Sequence, residues 1–195
     1  MNKEKTNVAV FASGTGSNAE KIIQYFSQNV TINIALIVSN KQDAGVITIA
    51  HNNKIPVLII EKEQFFRGDA YTDYLMKASI DFIVLAGFLW KIPANLIHAY
   101  PNKIVNIHPS LLPKYGGKGM FGNNVHQAVI DNHETESGIT IHYVNEEFDK
   151  GLPIFQIKCE VHANDDANSL AKRIHQLEHT YFSKVVEQVI IKETT

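Results

Sequence analysis

Residues 104–113 read IVNIHPSLLP, and this stretch decides both the fold class and the candidate chemistry. The β-branched and apolar residues 104–107 indicate a buried strand that Pro109 ends, so His108 lies where the strand meets a loop. In an open α/β sheet, ligands bind at this carboxyl end. Asn106 and His108 are two residues apart and therefore point to the same face. An amide and an imidazole on one face can stabilise an oxyanion and move a proton, although a buried histidine that merely ends a strand fits equally well.

The rest of the chain alternates strand-like and helical patterns. Near-continuous apolar strands separated by helices are typical of a parallel sheet that is covered on both faces. The sequence therefore predicts a single α/β domain over residues 1–195, with a Rossmann-like, mostly parallel sheet and helices on both faces. A capping box of Ser17 and Glu20 predicts where the first helix starts. Predicted strands cover residues 8–11, 32–38, 56–60, 82–86, 104–107, 137–144 and 154–161, and predicted helices cover 17–28, 44–52, 69–78 and 169–191.

The composition argues against several classes of protein. With 195 residues, of which 45% are hydrophobic, the chain can bury one substantial core. No apolar run approaches the length of a membrane span, and we expect the first residues to lead into a strand instead of a signal peptide. Cys159 is the only cysteine, which excludes an internal disulfide and fits a reducing, cytoplasmic location. The net charge of −2 and the lack of a basic run argue against a nucleic-acid partner.

A glycine-rich turn, SGTGSN at residues 13–18, joins the first strand to the first helix. Glycines let the backbone approach a phosphate, and a helix N-terminus offers free N–H groups. The turn matches the dinucleotide fingerprint, with Ala19 as the third small residue, but the ribose-binding acid is missing because residues 39–41 read SNK. The sequence therefore indicates a cradle for a single phosphate, and the alternative is a tight turn that binds no ligand.

Residues 175–179, HQLEH, match the inverted zinc-protease pattern on the last predicted helix. At about 100° per residue, both histidines fall away from the apolar stripe, and no spacing suggests a third ligand. We therefore expect solvated histidines and no metal. Glu178 lies at the edge of the stripe and could reach into a pocket.

The acidic loop at residues 145–151 follows a predicted strand that contains His142. Carboxylates in loops are usually solvated, and this is the simplest interpretation of Glu146 and Glu147. A carboxylate near His108 would favour the imidazolium form and raise the pKa of the histidine. Asp149 is the candidate for that position.

These segments together resemble the folate-dependent formyltransferases, and most closely the members that formylate glycinamide ribonucleotide in purine synthesis. The segment 106–113 with the downstream Asp149 is the most specific part, whereas the glycine turn alone would be a weak signal. The resemblance covers nearly the whole chain, through residues 13–18, 39–41, 85–88, 106–113, 138–144, Asp149-x-Gly151 and 178–179.

The resemblance implies an enzyme that transfers the formyl group of 10-formyltetrahydrofolate, its co-substrate, to the amine of N1-(5-phospho-D-ribosyl)glycinamide. The products would be formylglycinamide ribonucleotide and tetrahydrofolate. Asn106 and protonated His108 would stabilise the tetrahedral oxyanion. Asp149 would keep the imidazole charged and help relay a proton to the departing folate nitrogen. No metal is implied.

The resemblance also implies two sets of binding residues. The ribonucleotide would contact Gly16, Ser17, Asn18 and Glu178, with Glu178 near the glycinamide end. The folate would contact Leu89, Trp90, Lys91, Ile92, Asn106, Asn145, Glu146, Glu147, Phe148 and Asp149. The chain departs from the family pattern in four places. Leu89-Trp90 stands where Met-Arg is common, and Arg67 is displaced by one position from an arginine near the folate tail. His175 replaces a glutamine, and the glycine loop 116–122 is longer than in many relatives. These departures affect substrate contacts, and the three catalytic positions are retained.

Several alternatives remain open on the sequence alone. A formyltransferase acting on methionyl-tRNA should carry an added C-terminal RNA-binding domain, and a formyltetrahydrofolate hydrolase should carry an added N-terminal regulatory domain. A NADP-binding reductase could use Gly14 and Gly16 with Lys41, and a non-catalytic ligand-binding relative is a further alternative. We expect small-molecule substrates, no nucleic-acid or membrane partner, a cytoplasmic location, and a monomer or homodimer.

Overall fold

The computed structural model describes residues 5–194, so the predicted domain is described except for residues 1–4 and 195. Its centre is a seven-stranded sheet in the order β3-β2-β1-β4-β5-β6-β7. The strands are β1 (Thr6–Phe11), β2 (Ile32–Ser39), β3 (Val57–Ile59), β4 (Phe82–Leu85), β5 (Ile104–His108), β6 (Glu136–Tyr143) and β7 (Pro153–Glu160). The helices are α1 (Ser17–Phe26), α2 (Gly45–Asn52), α3 (Lys62–Arg67), α4 (Ala70–Lys77), α5 (Ala94–Ala99), α6 (Asn123–Asp131) and α7 (Ala167–Thr194).

The first five strands are parallel, and β6 and β7 are antiparallel to their neighbours. All four residues of β4 are buried, whereas residues of the edge strand β7 alternate in exposure. This difference explains why the inner strands read as continuous apolar runs and the last one does not. The mostly parallel α/β sheet that the sequence predicts is confirmed.

Helices cover both faces of the sheet through two hydrophobic clusters. One cluster contains buried residues of α1, α2, α6 and α7, including Ile22, Val46 and Phe182. The other contains Phe65 of α3, Leu75 of α4 and residues of α5. The two-faced cover is therefore also as predicted. Within residues 5–194, no helix has both the length and the apolar character that crossing a membrane requires.

The structure differs from the sequence expectation at the start of α1. The N-cap is Gly16, with φ +83°, and no side chain caps the helix, so the predicted capping box of Ser17 and Glu20 is wrong. A Cβ at Gly16 would lie 2.8 Å from the Cα of Val46, so the close approach of α2 requires glycine there. Packing between the two helices, not a side-chain cap, fixes this turn.

Candidate active site

A cavity of about 770 Å³ opens at the carboxyl ends of β1, β4 and β5. The register pairs Phe11 with Leu85 and Leu85 with Asn106, so these three strand ends lie side by side. Gly14, Gly87 and His108, which follow or end the three strands, all line the cavity. The expectation that they share one edge of the sheet is confirmed, and the position agrees with the general rule for ligand sites in such sheets.

Asp149 joins the two polar side chains of β5. Its Oδ2 lies 3.5 Å from His108 Nδ1, and its Oδ1 lies 3.5 Å from Asn106 Nδ2. The backbone N–H of Gly117 donates to Oδ2 at 2.8 Å. The side chains of His108 and Asp149 are 5% and 12% exposed, so this pair acts in a site largely withdrawn from water. The structure thus brings together all three residues expected to be catalytic.

The charge state of His108 differs from the sequence expectation. Burial lowers the pKa of His108, and the nearby Asp149 carboxylate raises it by less than burial lowers it. The expected effect of the Asp149 carboxylate is present, but desolvation of the imidazolium outweighs this one ion pair, so on balance the pKa of His108 is lowered. Burial raises the pKa of Asp149, but its imidazole neighbours and the Gly117 N–H hold it below its ordinary value. Asp149 is the charged member of the pair near neutral pH.

The loop between β6 and β7 holds Asp149 in a special backbone conformation. Asp149 has φ +55°, a left-handed value that aspartate adopts more readily than most residues. Gly151 follows at a point where a Cβ would collide with the carbonyl oxygen of Tyr143. The Asp149-x-Gly151 pattern therefore has a steric basis, because the loop must pass close to the end of β6 to aim the carboxylate at His108.

Two contacts of this centre were not found from the sequence. His108 Nε2 lies 2.7 Å from the carbonyl oxygen of Tyr115, which can only accept, so Nε2 donates. His142, across the β5–β6 register from Asn106, lies with Nε2 3.1 Å from Asn106 Nδ2. The peptide bond between Leu112 and Pro113, in the loop that leads to Tyr115, is cis. No local pattern in the sequence could have supplied the antiparallel register or the path of that loop.

The glycine turn lies at the other side of the cavity, which residues 14–18 line. The N–H of Glu20 donates to Gly16 O at 2.8 Å, so the N–H groups of residues 17–19 have no intrahelical acceptor. Free N–H groups and the positive end of the helix dipole suit an anion such as a phosphate. The predicted cradle therefore has the required geometry at the start of α1.

Glu178 of α7 lies at this end of the cavity and is 4% exposed. Its Oε2 accepts hydrogen bonds from Asn18 Nδ2 at 2.9 Å and from His175 Nδ1 at 2.7 Å. The hydrogen bond to Glu178 raises the pKa of His175, whose side chain is 53% exposed. The expectation that Glu178 reaches a pocket is confirmed.

The histidines of the HQLEH segment are not both solvated. Burial lowers the pKa of His179, and its Nε2 is buried with no hydrogen-bond partner among residues 5–194. The expectation of solvated histidines therefore holds for His175 and is wrong for His179. In the part of the chain that the structure describes, no three His, Cys, Asp or Glu side chains come together as a metal site requires.

The residues expected to contact folate are only partly brought to the cavity. Those that line it are Leu89, Asn106, Phe148 and Asp149. Trp90 packs against Phe65, Phe66 and Phe88, and Ile92 is 3% exposed in the same cluster. The other four are exposed: Lys91, Asn145, Glu146 and Glu147. Asn145 donates to the carbonyl oxygen of Lys150, Glu146 pairs with His98, and Glu147 pairs with Lys150.

His126 of α6 is a further cavity residue that the sequence analysis missed. It is 2% exposed, and burial, with a smaller contribution from the charge of His175, lowers its pKa to about 4. It was missed because α6 was not predicted: its nine residues directly follow the glycine-rich loop 116–122. The apolar residues Val125 and Val129, four positions apart and buried on one face with His126, are a signal that could have indicated this helix.

Comparison with known proteins agrees with this geometry. The formyl transferase family model matches residues 6–186. The chain is 43% identical over 188 residues to a chloroplastic phosphoribosylglycinamide formyltransferase of Arabidopsis thaliana, covering 93% of this chain and 64% of that protein, just under two thirds of its length. It is 34% identical to the phosphoribosylglycinamide formyltransferase of Haemophilus influenzae, covering 92% of this chain and 85% of that protein.

A solved structure gives the same result. The crystal structure of phosphoribosylglycinamide formyltransferase from Bacillus halodurans superposes with a TM-score of 0.85 and 32% identity, over 94% of this chain and 95% of that one. The match of the family model over most of the chain, the bacterial relative and the shared architecture agree with one another. This chain belongs to the formyl transferase family.

Proposed function

We propose that this protein transfers the formyl group of 10-formyltetrahydrofolate to the amine of N1-(5-phospho-D-ribosyl)glycinamide, giving formylglycinamide ribonucleotide and tetrahydrofolate in purine biosynthesis. One observation carries the proposal: a single cavity joins the Asn106, His108 and Asp149 cluster to a helix N-terminus that suits a phosphate. The names of the relatives support formyl transfer to the same ribonucleotide acceptor.

The proposed reaction is an acyl transfer with a tetrahedral intermediate. The neutral amine attacks the formyl carbon, a C–N bond forms, and the carbonyl oxygen becomes an oxyanion. The bond to N10 of the folate then breaks, while the proton that the amine nitrogen loses reaches N10. The proton transfer and the charge stabilisation are assigned to side chains, and the proposed chemistry uses no metal ion.

His108 and Asp149 have complementary parts in this proposal. His108 is assigned the proton exchange with the reacting nitrogens and donation to the oxyanion, for which its Nε2 hydrogen would exchange the Tyr115 carbonyl oxygen for the substrate. Because burial lowers the pKa of His108, its proton is given up more easily than an ordinary imidazolium proton would be. Asp149 stays ionised and compensates the positive charge that His108 acquires during turnover.

The two substrates are proposed to bind at opposite ends of the cavity. The phosphate would bind the backbone at Gly16, Ser17 and Asn18, and Glu178 would bind near the glycinamide end. The folate would lie on the side of Leu89 and Phe148, both 39% exposed apolar side chains. Trp90 and Ile92 would support that surface from the core, so their side chains would contribute packing instead of polar contacts.

The proposed partners and cellular compartment follow from the charge of the chain and from its cysteine. A net charge of −2 and a concave cavity lined by both apolar and polar groups support small-molecule substrates instead of nucleic acid or a membrane surface. The half-buried thiol Cys159 fits a reducing cytoplasm. We propose that the protein works there as a monomer or homodimer.

The proposal is tested by mixing the protein with glycinamide ribonucleotide and a 10-formylfolate donor, and following release of the deformylated folate by absorbance. We expect release that depends on both substrates, with one formylated ribonucleotide formed per folate released. Release without the ribonucleotide would instead identify a formyltetrahydrofolate hydrolase. No release with either water or the amine as acceptor would contradict a catalytic role.

A further inference from the structure

His126 of α6 lines the cavity, although the proposed reaction gives it no part. The residue is 2% exposed, and its Nδ1 is buried without a hydrogen-bond partner among residues 5–194. Its Nε2 makes no hydrogen bond to the described residues either, yet it is not enclosed as Nδ1 is. Nε2 is therefore the ring nitrogen that meets the cavity, and a ligand there could bond to it.

The imidazole of His126 offers the cavity a neutral donor. Burial lowers the pKa of His126 to about 4, so near pH 7 the ring is neutral and carries one hydrogen, on either Nδ1 or Nε2. A buried N–H without an acceptor is a rare arrangement in proteins, because it gives up the hydrogen bond that it would make to water. We therefore assign the hydrogen to Nε2, which leaves Nδ1 with an unbonded lone pair.

The position of His126 in the cavity follows from the side chains around it. His175 and Glu178, from the neighbouring helix α7, and His108, at the end of β5, all line the same cavity. All three lie near enough to act on the charge of His126, His175 most strongly and His108 least. His126 is therefore within reach of both the catalytic centre and the end of the cavity that holds Glu178.

We propose that Nε2 of His126 donates a hydrogen bond to the amide carbonyl oxygen of the glycinamide group. This inference rests on the proposed function, in which the phosphate binds at the start of α1 and the amine meets His108. Between the amine nitrogen and the ribose ring, that carbonyl oxygen is the only hydrogen-bond acceptor of the substrate. It is therefore the group that would lie within reach of both His108 and Glu178.

A neutral donor suits this position better than a cation does. A cationic side chain beside Glu178 would be drawn into an ion pair with that carboxylate, and it would repel the positive charge that develops on the attacking amine. An imidazole that stays neutral does neither, and its hydrogen remains available to the carbonyl oxygen. His126 would thus favour amine substrates that carry an amide carbonyl next to the aminomethyl group.

The effect on kinetics follows from when this hydrogen bond is made. It forms when the ribonucleotide binds and is kept in the transition state, because the amide carbonyl takes no part in bond making or breaking. Loss of such a uniform contact raises the KM for the ribonucleotide and leaves kcat nearly unchanged. This separates His126 from His108, whose loss should lower kcat.

NMR of the imidazole nitrogens in the 15N-labelled wild-type protein tests the contact without turnover. The His126 signals are assigned by their absence from the spectrum of His126→Gln. We expect Nε2 to be protonated and Nδ1 unprotonated at pH 7, and the Nε2 hydrogen to exchange more slowly when glycinamide ribonucleotide is bound. Ribose 5-phosphate, which lacks the glycinamide group, should not slow this exchange. A hydrogen on Nδ1, or the same response to both ligands, would overturn the inference.

Two substitutions of His126 separate the donor from the bulk of the ring. His126→Leu fills the space without a donor, whereas His126→Gln has an amide N–H that can replace Nε2. We expect His126→Leu to raise the Kd and the KM for glycinamide ribonucleotide about tenfold, since one neutral hydrogen bond is lost. The Kd for ribose 5-phosphate and the KM for the folate should stay within about twofold, and His126→Gln should recover most of the lost affinity.

The outcomes distinguish this inference from the proposed function. If the wild-type protein binds the ribonucleotide but transfers no formyl group, the proposed function is wrong, and the NMR and Kd measurements still decide the contact. If His126→Leu weakens both ligands equally, weakens neither, or lowers only kcat, the inference is overturned, whether or not transfer occurs. No binding of the ribonucleotide to the wild type would also overturn it. Circular dichroism and thermal unfolding identify a variant that has failed to fold, and then the wild-type NMR decides.

Discussion

The charge of a single residue, His108, is set by two opposing effects. Burial lowers the pKa of His108 and Asp149 raises it, so removing the carboxylate charge should lower this pKa further. Asp149→Asn is suited to the test because asparagine also tolerates the φ of +55° found there. We expect the His108 ring to titrate at lower pH in Asp149→Asn than in the wild type, as measured by NMR. An unchanged or higher pKa would show that Asp149 does not act on His108 through its charge.

A second prediction at the scale of the residue concerns how much His108 contributes to kcat. The charge that His108 meets exists only in the transition state, so His108→Ala should lower kcat by about 10²–10³ and change either KM little. Steady-state kinetics with each substrate varied in turn measures the split. Near-wild-type turnover in a folded, substrate-saturated variant would remove His108 from the proposed mechanism.

At the scale of elements, the turn before α1 contains two glycines, Gly14 and Gly16, that differ in the space around them. Gly16 is required by packing, because a Cβ at this position would meet Val46. Gly16→Val should therefore unfold or loosen the protein, and it would not test phosphate binding. A Cβ at Gly14 would meet no atom within 4 Å, although Gly14 lines the cavity. Gly14→Ala should therefore leave the unfolding temperature unchanged and raise the KM for the ribonucleotide about tenfold or more, by crowding the bound phosphate.

The control in that experiment is the second substrate. The KM for the folate should remain within about twofold in Gly14→Ala, because the folate is proposed to lie on the Leu89 and Phe148 side of the cavity. An equal rise in both KM values would indicate a general distortion of the site instead of a blocked phosphate cradle.

The loop between β6 and β7 links stability to activity. In Gly151→Ala the added methyl group would collide with the Tyr143 backbone, which should cost about 1–3 kcal/mol of unfolding free energy and displace Asp149. We therefore expect a lower unfolding midpoint together with a lower kcat. Gly68→Ala is the matched control, because its nearest neighbour would be Gln64 O at 3.7 Å, and its stability should change by less than about 0.5 kcal/mol. Full activity in a destabilised Gly151→Ala would contradict the steric explanation of the loop.

The same elements show what the sequence could and could not predict. The inner strands and the turn before α1 carry local signals, an apolar run and a glycine-rich helix start, so they and the edge that holds His108 were predictable. His142 depends on the antiparallel register of β6 against β5, which no short segment specifies. The short helix α6, and with it His126, has too few residues for a clear helical period.

The pKa of His108 could not be predicted from the sequence for a different reason. A neighbouring carboxylate can be guessed from a motif, but the depth of burial is a property of the assembled fold. In the structure the imidazole is 4% exposed, and burial decides the direction of the shift.

At the scale of the whole molecule, buried titratable side chains collect around one cavity. His108, His126, His142 and Glu178 are each 4% exposed or less. A carboxyl-end edge of the sheet is where helices and loops leave room for such groups. Burial there lowers the pKa of His108 and of His126, so these two residues make the fold less stable in acid. Binding of ligands and sensitivity to acid therefore arise from the same part of the protein.

His126 gives the last prediction, on the stability of the whole fold. Its pKa is about 4 in the folded protein against an ordinary value of 6.5, so below pH 6.5 the unfolded chain binds a proton that the folded chain does not. Stability from this residue is therefore complete above pH 6.5 and is lost as the pH falls toward 4, by about 3 kcal/mol in all. Chemical unfolding at pH 7 and pH 4.5 should show a smaller acid loss in His126→Leu than in the wild type. The exposed-site variant His51→Gln should lose as much as the wild type. Equal acid losses in His126→Leu and the wild type would mean that His126 is not a source of acid sensitivity.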